Sequence, residues 1–335
     1  MKALGSKKAL GRRVAFYLGA TWVAVTLNFL LPHLMPGSPA DAVIASLSQR
    51  YQLSAAEQAS IRNLFGAPHQ PLWQQYGTYL GQLAHGDFGV SVSYYPEPVA
   101  NVVASGIWWT LTLVGVTTVL AFALGTGIGI VLGWRPGSRL DSVFSPLSVL
   151  ISSLPFFWVA MLIALEFGER LQLFPYQRGY DGNVPIGFTP QFFATAIPHA
   201  VLPGVTIIVS SVGGWIFGMR NMMITTVSDD YVQLAIAKGL RRRRVMFTYA
   251  ARNAILPSVS GFAIALGFVV SGSLLTEVVF AYPGVGYLMF QAVSNDDYPL
   301  MQALFLTISV SVLAANFIAD SVYTLLDPRT GQARS

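Results

Sequence analysis

Cysteine is absent from the 335 residues, which excludes a disulfide framework, thiol chemistry and any cysteine metal site. Charge is scarce as well. Asp, Glu, Lys and Arg make up 10% of the chain, against roughly 25% in an ordinary soluble domain. Apolar residues make up 53%. So few charges could not cover the surface of a soluble protein, and the composition is that of an integral membrane protein. Lysine occurs only at Lys2, Lys7, Lys8 and Lys238, and none closes a G-x-x-x-x-G-K-[ST] phosphate loop. The chain therefore carries no nucleotide site of its own, and no cofactor is expected in it. His33, His69, His85 and His199 are too scattered to form an H-E-x-x-H or similar ligand set. There is no G-x-S-x-G elbow. These absences leave no basis for an enzyme.

Long apolar runs are abundant. Six are long enough to cross about 30 Å of hydrocarbon at about 20 residues each. They lie near Val14–Met35, Ile107–Trp134, Val143–Phe167, Ile197–Met219, Val259–Phe280 and Leu300–Leu325. The expected fold class is an all-α membrane protein of six transmembrane helices. The first run follows Lys2, Lys7, Lys8, Arg12 and Arg13 and is too long for the core of a signal peptide. The net charge of +5 does not indicate a nucleic-acid partner, because the basic residues cluster at the ends of apolar runs. With the N-terminus inside, only Arg50, Arg62, Arg170 and Arg178 of the 20 basic residues fall outside. That asymmetry predicts a multi-pass protein of the cytoplasmic membrane with both termini in the cytoplasm.

The chain divides accordingly. Residues 1–35 hold the cytoplasmic N-terminus and first span, and 36–106 form a small extracytoplasmic subdomain. Residues 107–325 form a five-helix core whose fourth and fifth spans are joined by a cytoplasmic loop at 222–257, and 326–335 form a cytoplasmic tail. Within the subdomain, PGSPADAVIASLSQRY and LSAAEQASIRNLF read as amphipathic helices, with Ser54 and Glu57 spaced as a capping box. Gly125, Gly129 and Gly133 recur every four residues in the second span and predict close approach to another helix.

The stretch DDYVQLAIAKGLRRRRVMFTYAARNAILP, Asp229 to Pro257, is far longer than a connection between two spans requires. Asp229 and Asp230 suit a helix start. Gly239 suits a left-handed helix end. A second helical stretch covers Val245–Ile255. The expected shape is helix, glycine turn, helix. Ala235 and Gly239 would share a small-residue face open to a partner, with Lys238 beside it. Arg241 to Arg244 would meet acidic lipid headgroups or a protein.

The pattern D-Y-V-x-x-A-x-A-K-G-L followed by N-A-I-L-P resembles the cytoplasmic "EAA" loop of ABC-importer permeases of the dipeptide/oligopeptide type. GDFGVS at Gly86–Ser91, SLPFFW at Ser153–Trp158, TEVVFAYPGVG at Thr276–Gly286 and NFIADSVYTLLDPR at Asn316–Arg329 resemble the same family in the same order. The resemblance implies six spans and a coupling helix seated on a separate ATPase. Asp230, Tyr231, Ala235, Ala237, Lys238, Gly239, Leu240, Arg241 and Arg244 would form that contact. It implies a second, homologous permease subunit, two ATPase subunits carrying ATP and Mg, and an extracytoplasmic solute-binding protein as partners, besides membrane lipids. Two departures stand out. The glutamate of the general signature is missing, with Gln233 or Leu234 in its place. Gly239 and Pro257 are 18 residues apart, the longer spacing of the peptide type.

Carboxylates in or near spans are functional candidates by default. Glu277 near the outer end of the fifth span, and Asp320 and Asn316 in the sixth, are candidates for the translocation path. Tyr282, Pro283, Gly284 and Gly286 form a turn expected at the outer mouth. The implied substrate is a di- or oligopeptide. GGWIFGMRN at Gly213–Asn221 resembles sugar-carrying members, so a short oligosaccharide is the alternative. A carrier driven by an ion gradient is the remote one.

Overall fold

The longest apolar runs become the longest helices. In a computed structural model of the chain, residues 7–34, 44–45, 48, 54–64, 71–269 and 274–326 are described. Among them there is no strand, only an isolated bridge between Val90 and Pro98. Helix α1 spans Lys7–Leu34, α2 Ala55–Leu64, α3 Leu72–Ala84 and α4 Val99–Trp134. After α4 come α5 (Arg139–Ser153) and α6 (Phe156–Ile163, continued by a π-helical turn Ala164–Arg170), then α7 (Pro190–Val227). The short helix α8 is Asp230–Ala237. Helix α9 comprises Arg242–Arg244, a π-helical stretch Val245–Ala251 and Arg252–Ala254. The rest are α10 (Leu256–Gly267), α11 (Leu274–Val279), α12 (Val285–Ser294) and α13 (Tyr298–Leu326).

Helices α4 and α7, of 36 and 38 residues, form the most extensive helix pair. The glycine spacing explains why. A Cβ on Gly125 would lie 2.5 Å from Trp215 Cβ, one on Gly129 2.7 Å from the Ile216 carbonyl oxygen, and one on Gly133 2.5 Å from Met223 Cβ. The backbones meet at a distance that no larger residue permits. Gly213 gives α7 the same close approach to Ser148 on α5. Helix α1 packs on α13, where Asn28 donates to the Gln302 carbonyl (3.0 Å) and Gln302 donates back to the Asn28 carbonyl (3.3 Å).

Among the described residues, four helices are long and apolar enough to cross a membrane, at Gly11–Leu30, Val99–Trp134, Pro190–Val227 and Tyr298–Ile318. The pair Arg139–Ser153 and Phe156–Arg170 makes a fifth if counted as one span. The expected third span, Val143–Phe167, is represented by α5 and α6, which meet at a bend of 99°. Pro155 has no amide hydrogen, and its ring drives Leu154 out of the helical region to ψ 134, so the helix must end there. The expected fifth span, Val259–Phe280, is represented by α10 and α11. Residues 270–273 between them lie outside the described residues.

In the subdomain, the capping box is present. The Ser54 amide donates to Glu57 Oε2 (2.7 Å) and the Glu57 amide to Ser54 Oγ (3.3 Å) at the start of α2. The helix expected in PGSPADAVIASLSQRY falls almost wholly outside the described residues.

Candidate coupling surface and outer clasp

Helix α8 begins where Asp229 leaves the extended region, at φ −66 and ψ 144, and Asp230 opens its first turn. It ends in a left-handed glycine. Gly239 has φ +71, its amide donates to the Ile236 carbonyl (2.9 Å), and the Leu240 amide donates to the Ala235 carbonyl (3.4 Å). These two bonds form a Schellman motif, which reverses the chain and brings α9 back over α8. Leu240 then packs beside Val232, Ala235, Val245, Ala250, Ala251 and Ala254, with Ile130 of α4 and Met219 and Met223 of α7 beneath. Asn253 Nδ2 donates to Tyr231 Oη (2.8 Å), and Gln233 Nε2 to the Val227 carbonyl (2.8 Å), so the first half of α8 is fastened to α9 and to the end of α7.

The expected small-residue face is therefore corrected. Ala235 is 3% exposed and lies against α9 and the core. Its small size serves packing within this chain. The side that faces outward is larger and more apolar. Tyr231, Leu234 and Ile236 are exposed, as are Asp230, Ala237, Lys238, Gly239 and Arg241 through Arg244. A Cβ on Gly239 would meet nothing within 4 Å, so its requirement is conformational.

At the other end of α4 the residues of the YPGVG turn close around Glu277. The Glu277 side chain is fully buried. Thr110 Oγ1, from α4, donates to Glu277 Oε1 (2.9 Å) and accepts from the Val285 amide (2.8 Å). The Gly286 amide donates to Glu277 Oε2 (2.7 Å). Val285 and Gly286 are the first two residues of α12, whose amides have no partner within the helix. Glu277 and Thr110 thus cap α12 from two other helices. Gly284 is required because a Cβ there would lie 2.5 Å from Thr110 Oγ1 and collide with Glu277 Oε2. Tyr282, Gly284 and Gly286 are buried and Pro283 half-buried. The turn is not an open mouth. The Arg178 amide donates to the Phe280 carbonyl (3.0 Å), Gly179 lies over Pro283, and Trp109 stacks on Tyr180 and meets Tyr282 edge-on.

The remaining candidates lie elsewhere. Asp320 Oδ2 accepts from Tyr17 Oη (2.8 Å) and its carbonyl from Arg13 Nη1 (3.2 Å), which ties α13 to the basic start of α1. Asn316 is half-buried one turn earlier on α13. The structure does not bring Glu277 and Asp320 together.

Two polar centres escaped the sequence reading. Asp141 forms a bidentate pair with Arg220 (Nε to Oδ1 2.5 Å, Nη2 to Oδ2 2.7 Å) and also accepts from Ser145 Oγ (2.6 Å) and the Gly137 amide (2.8 Å). Ser138 and Asp141 have the S-x-x-D spacing of a capped helix start, a signal that could have found it. Asp297 is fully buried and accepts from Ser91 Oγ (2.5 Å), the Ser93 amide (2.8 Å) and the Leu300 amide (3.2 Å). It caps α13 and anchors the GDFGVS loop. An aspartate two residues before Pro299 carried the helix-start signal.

The family described as binding-protein-dependent transport system inner membrane component matches residues 125–332. A putative peptide permease protein of Brucella suis biovar 1 is 33% identical over 95% of this chain and 97% of its own. The oligopeptide transport system permease protein AppB of Bacillus subtilis is 29% identical, covering 90% of this chain and 92% of its own. The dipeptide transport system permease protein DppB of Escherichia coli K12 is 28% identical, covering 92% and 94%.

Proposed function

Because this chain belongs to the family of binding-protein-dependent transport system inner membrane components, we propose that it forms half of the translocation path of an ATP-driven importer of di- and oligopeptides. The other half is a second, homologous permease. Two ATPase subunits bind ATP and Mg, and an extracytoplasmic solute-binding protein delivers the substrate. The chain is a multi-pass membrane protein. In the proposed topology α1, α4, the bent α5–α6 pair, α7, the α10–α11 segment and α13 are the six spans. Both termini and the α8–α9 segment are cytoplasmic.

One observation carries the coupling role. Helix α8 is an exposed, rigidly braced element whose inner side rests on Ile130, Met219 and Met223 of the two longest helices. A push on Tyr231, Leu234 or Ile236 is delivered to α4 and α7 without loss in a flexible loop. Asp230, Lys238, Gly239, Arg241 and Arg244 surround that contact. Leu240 locks α8 to α9 from within. Closure of the ATPase dimer would tilt the α4–α7 pair as a rigid body and alternate access to the path. Of the three polar candidates we assign Asn316 to the path, because Glu277 and Asp320 are held by contacts of the fold.

The names of the relatives favour peptide as the cargo. The test is uptake in a strain lacking this chain, comparing a labelled dipeptide with a labelled cello-oligosaccharide, with and without ATP depletion. ATP-dependent peptide uptake should vanish and the sugar be unaffected. Loss of sugar uptake alone would keep the coupling mechanism and reassign the substrate. Uptake indifferent to ATP would overturn the mechanism.

A further inference from the structure

Helix α3, Leu72–Ala84, has no role in the transport reading above and carries no charged residue in its sequence LWQQYGTYLGQLA. It docks on α1 through two tyrosines. Tyr76 Oη and Thr26 Oγ1 are 2.8 Å apart, and Asn28 Nδ2 donates to Tyr79 Oη (3.1 Å). Both rings also lie against Phe29, at 5.1 and 5.5 Å. Thr26, Asn28 and Phe29 belong to Gly11–Leu30, the membrane-crossing window of α1. A helix fastened at that depth lies at the edge of the hydrocarbon, within the last few residues of a span about 30 Å long.

The apolar side of α3 is wider than its contact with α1. At 100° per residue, Tyr79, Leu72, Leu83 and Tyr76 run into Leu80, Trp73 and Ala84, while Gln74 and Thr78 lie opposite. Within this stripe Tyr76 and Tyr79 meet α1, while Leu72 is exposed. Trp73 is 73% exposed and Leu80 37%. They continue sideways from a helix that is itself apolar toward its surroundings, with Trp22, Val23 and Leu27 exposed.

We propose that α3 is an interfacial helix that lays Trp73, Leu80 and Ala84 into the bilayer boundary at the C-terminal end of α1. The partner is the lipid surface. Without charge on α3, attachment comes from apolar area and from a tryptophan at headgroup depth, not from anionic headgroups. It braces α1 and holds the subdomain close to the membrane. The inference depends on the membrane topology and is independent of the substrate.

The absence of cysteine makes the test direct. Nitroxide labels on Trp73→Cys, Leu80→Cys, Gln74→Cys and Thr78→Cys, one at a time, are read by power-saturation spectroscopy in the full chain in phosphatidylcholine nanodiscs. All four sites are exposed, so the substitutions leave the fold intact. The ratio of oxygen to nickel-chelate accessibility should be clearly higher at 73 and 80 than at 74 and 78, as for a helix half sunk in the interface. Equal nickel access at all four positions would place α3 in water and overturn the proposal. Shielding of 73 and 80 from both reagents would mean that protein covers the stripe, and would overturn it equally.

Discussion

The clasp around Glu277 and the surface of α8–α9 are made from similar residues, and they dispose of their polar groups in opposite ways. In the clasp, glycines, a threonine and a carboxyl group are buried together, and Thr110, Glu277, Val285 and Gly286 bond to one another within the chain. On α8–α9 the glycine sets a chain reversal, while Asp230, Lys238 and Arg241 through Arg244 point away from the core. Both stretches bear motifs that resemble the same transport family. The contrast shows that a motif can be a fastening or a docking surface, and that burial of its polar atoms separates the two.

The largest test of that contrast is Glu277→Ala. It removes the acceptor for the Gly286 amide and the partner of Thr110 inside a closed site. Leaving buried donors unsatisfied costs about 1–3 kcal/mol for each group. With two such groups the loss is about 2–6 kcal/mol, and the variant should melt several degrees lower, since 1 kcal/mol moves a domain of 150–250 residues by about 2–4 °C and a larger one by less. Uptake should be lost with it. A variant of unchanged melting temperature that fails only in uptake would move Glu277 from the fastening side of the comparison to the transport side.

Next comes Gly239→Asp. No atom lies within 4 Å of the position a Cβ would take, so the folded chain has room. The cost is that of φ +71 in a non-glycine residue, about 1 kcal/mol. Asn tolerates that region best. We expect Gly239→Asp to insert in the membrane with near-normal stability and to abolish uptake, and Gly239→Asn to retain part of it. Wild-type uptake by Gly239→Asp would remove α8 from the docking side.

The fold was legible where neighbours in sequence decide it. Asp229 and Gly239 bound a short helix because dipole and left-handed backbone act within one turn. Ser54 and Glu57 cap each other three residues apart. The glycines at 125, 129 and 133 announced a close helix contact through their own spacing. Legibility ended where a partner lies far along the chain. Asp141 meets Arg220 across 79 positions, Thr110 meets Glu277 across 167, and Ser91 meets Asp297 across 206. Local periodicity carries no trace of such pairs. Ala235 misled for the same reason. A small residue on a helix side invites some close approach, and only the return of α9 decides that the approach is internal. The bend at Pro155 is local as well, because a proline drives the residue before it out of the helical region.

The smallest expected effect concerns Arg241 to Arg244, and its sign is informative. Arg242, Arg243 and Arg244 occupy the first turn of α9, where the helix dipole presents its positive end. Cations there are unfavourable by about 0.3–1 kcal/mol each when exposed. The fold itself gains nothing from them at this place. Replacing all four by Gln should leave the melting temperature unchanged or slightly raised. Under the proposed coupling role, that local cost is offset outside the chain, by an ATPase surface or by acidic headgroups, where each arginine is worth about 1 kcal/mol. Co-purification of ATPase subunits in neutral detergent distinguishes the two, since no anionic lipid is present to compete. A drop in recovered ATPase would place the arginines beside Tyr231, Leu234 and Ile236 on the docking surface. Normal recovery with a changed membrane orientation would assign them to the lipid, and leave the apolar side of α8 as the contact on its own.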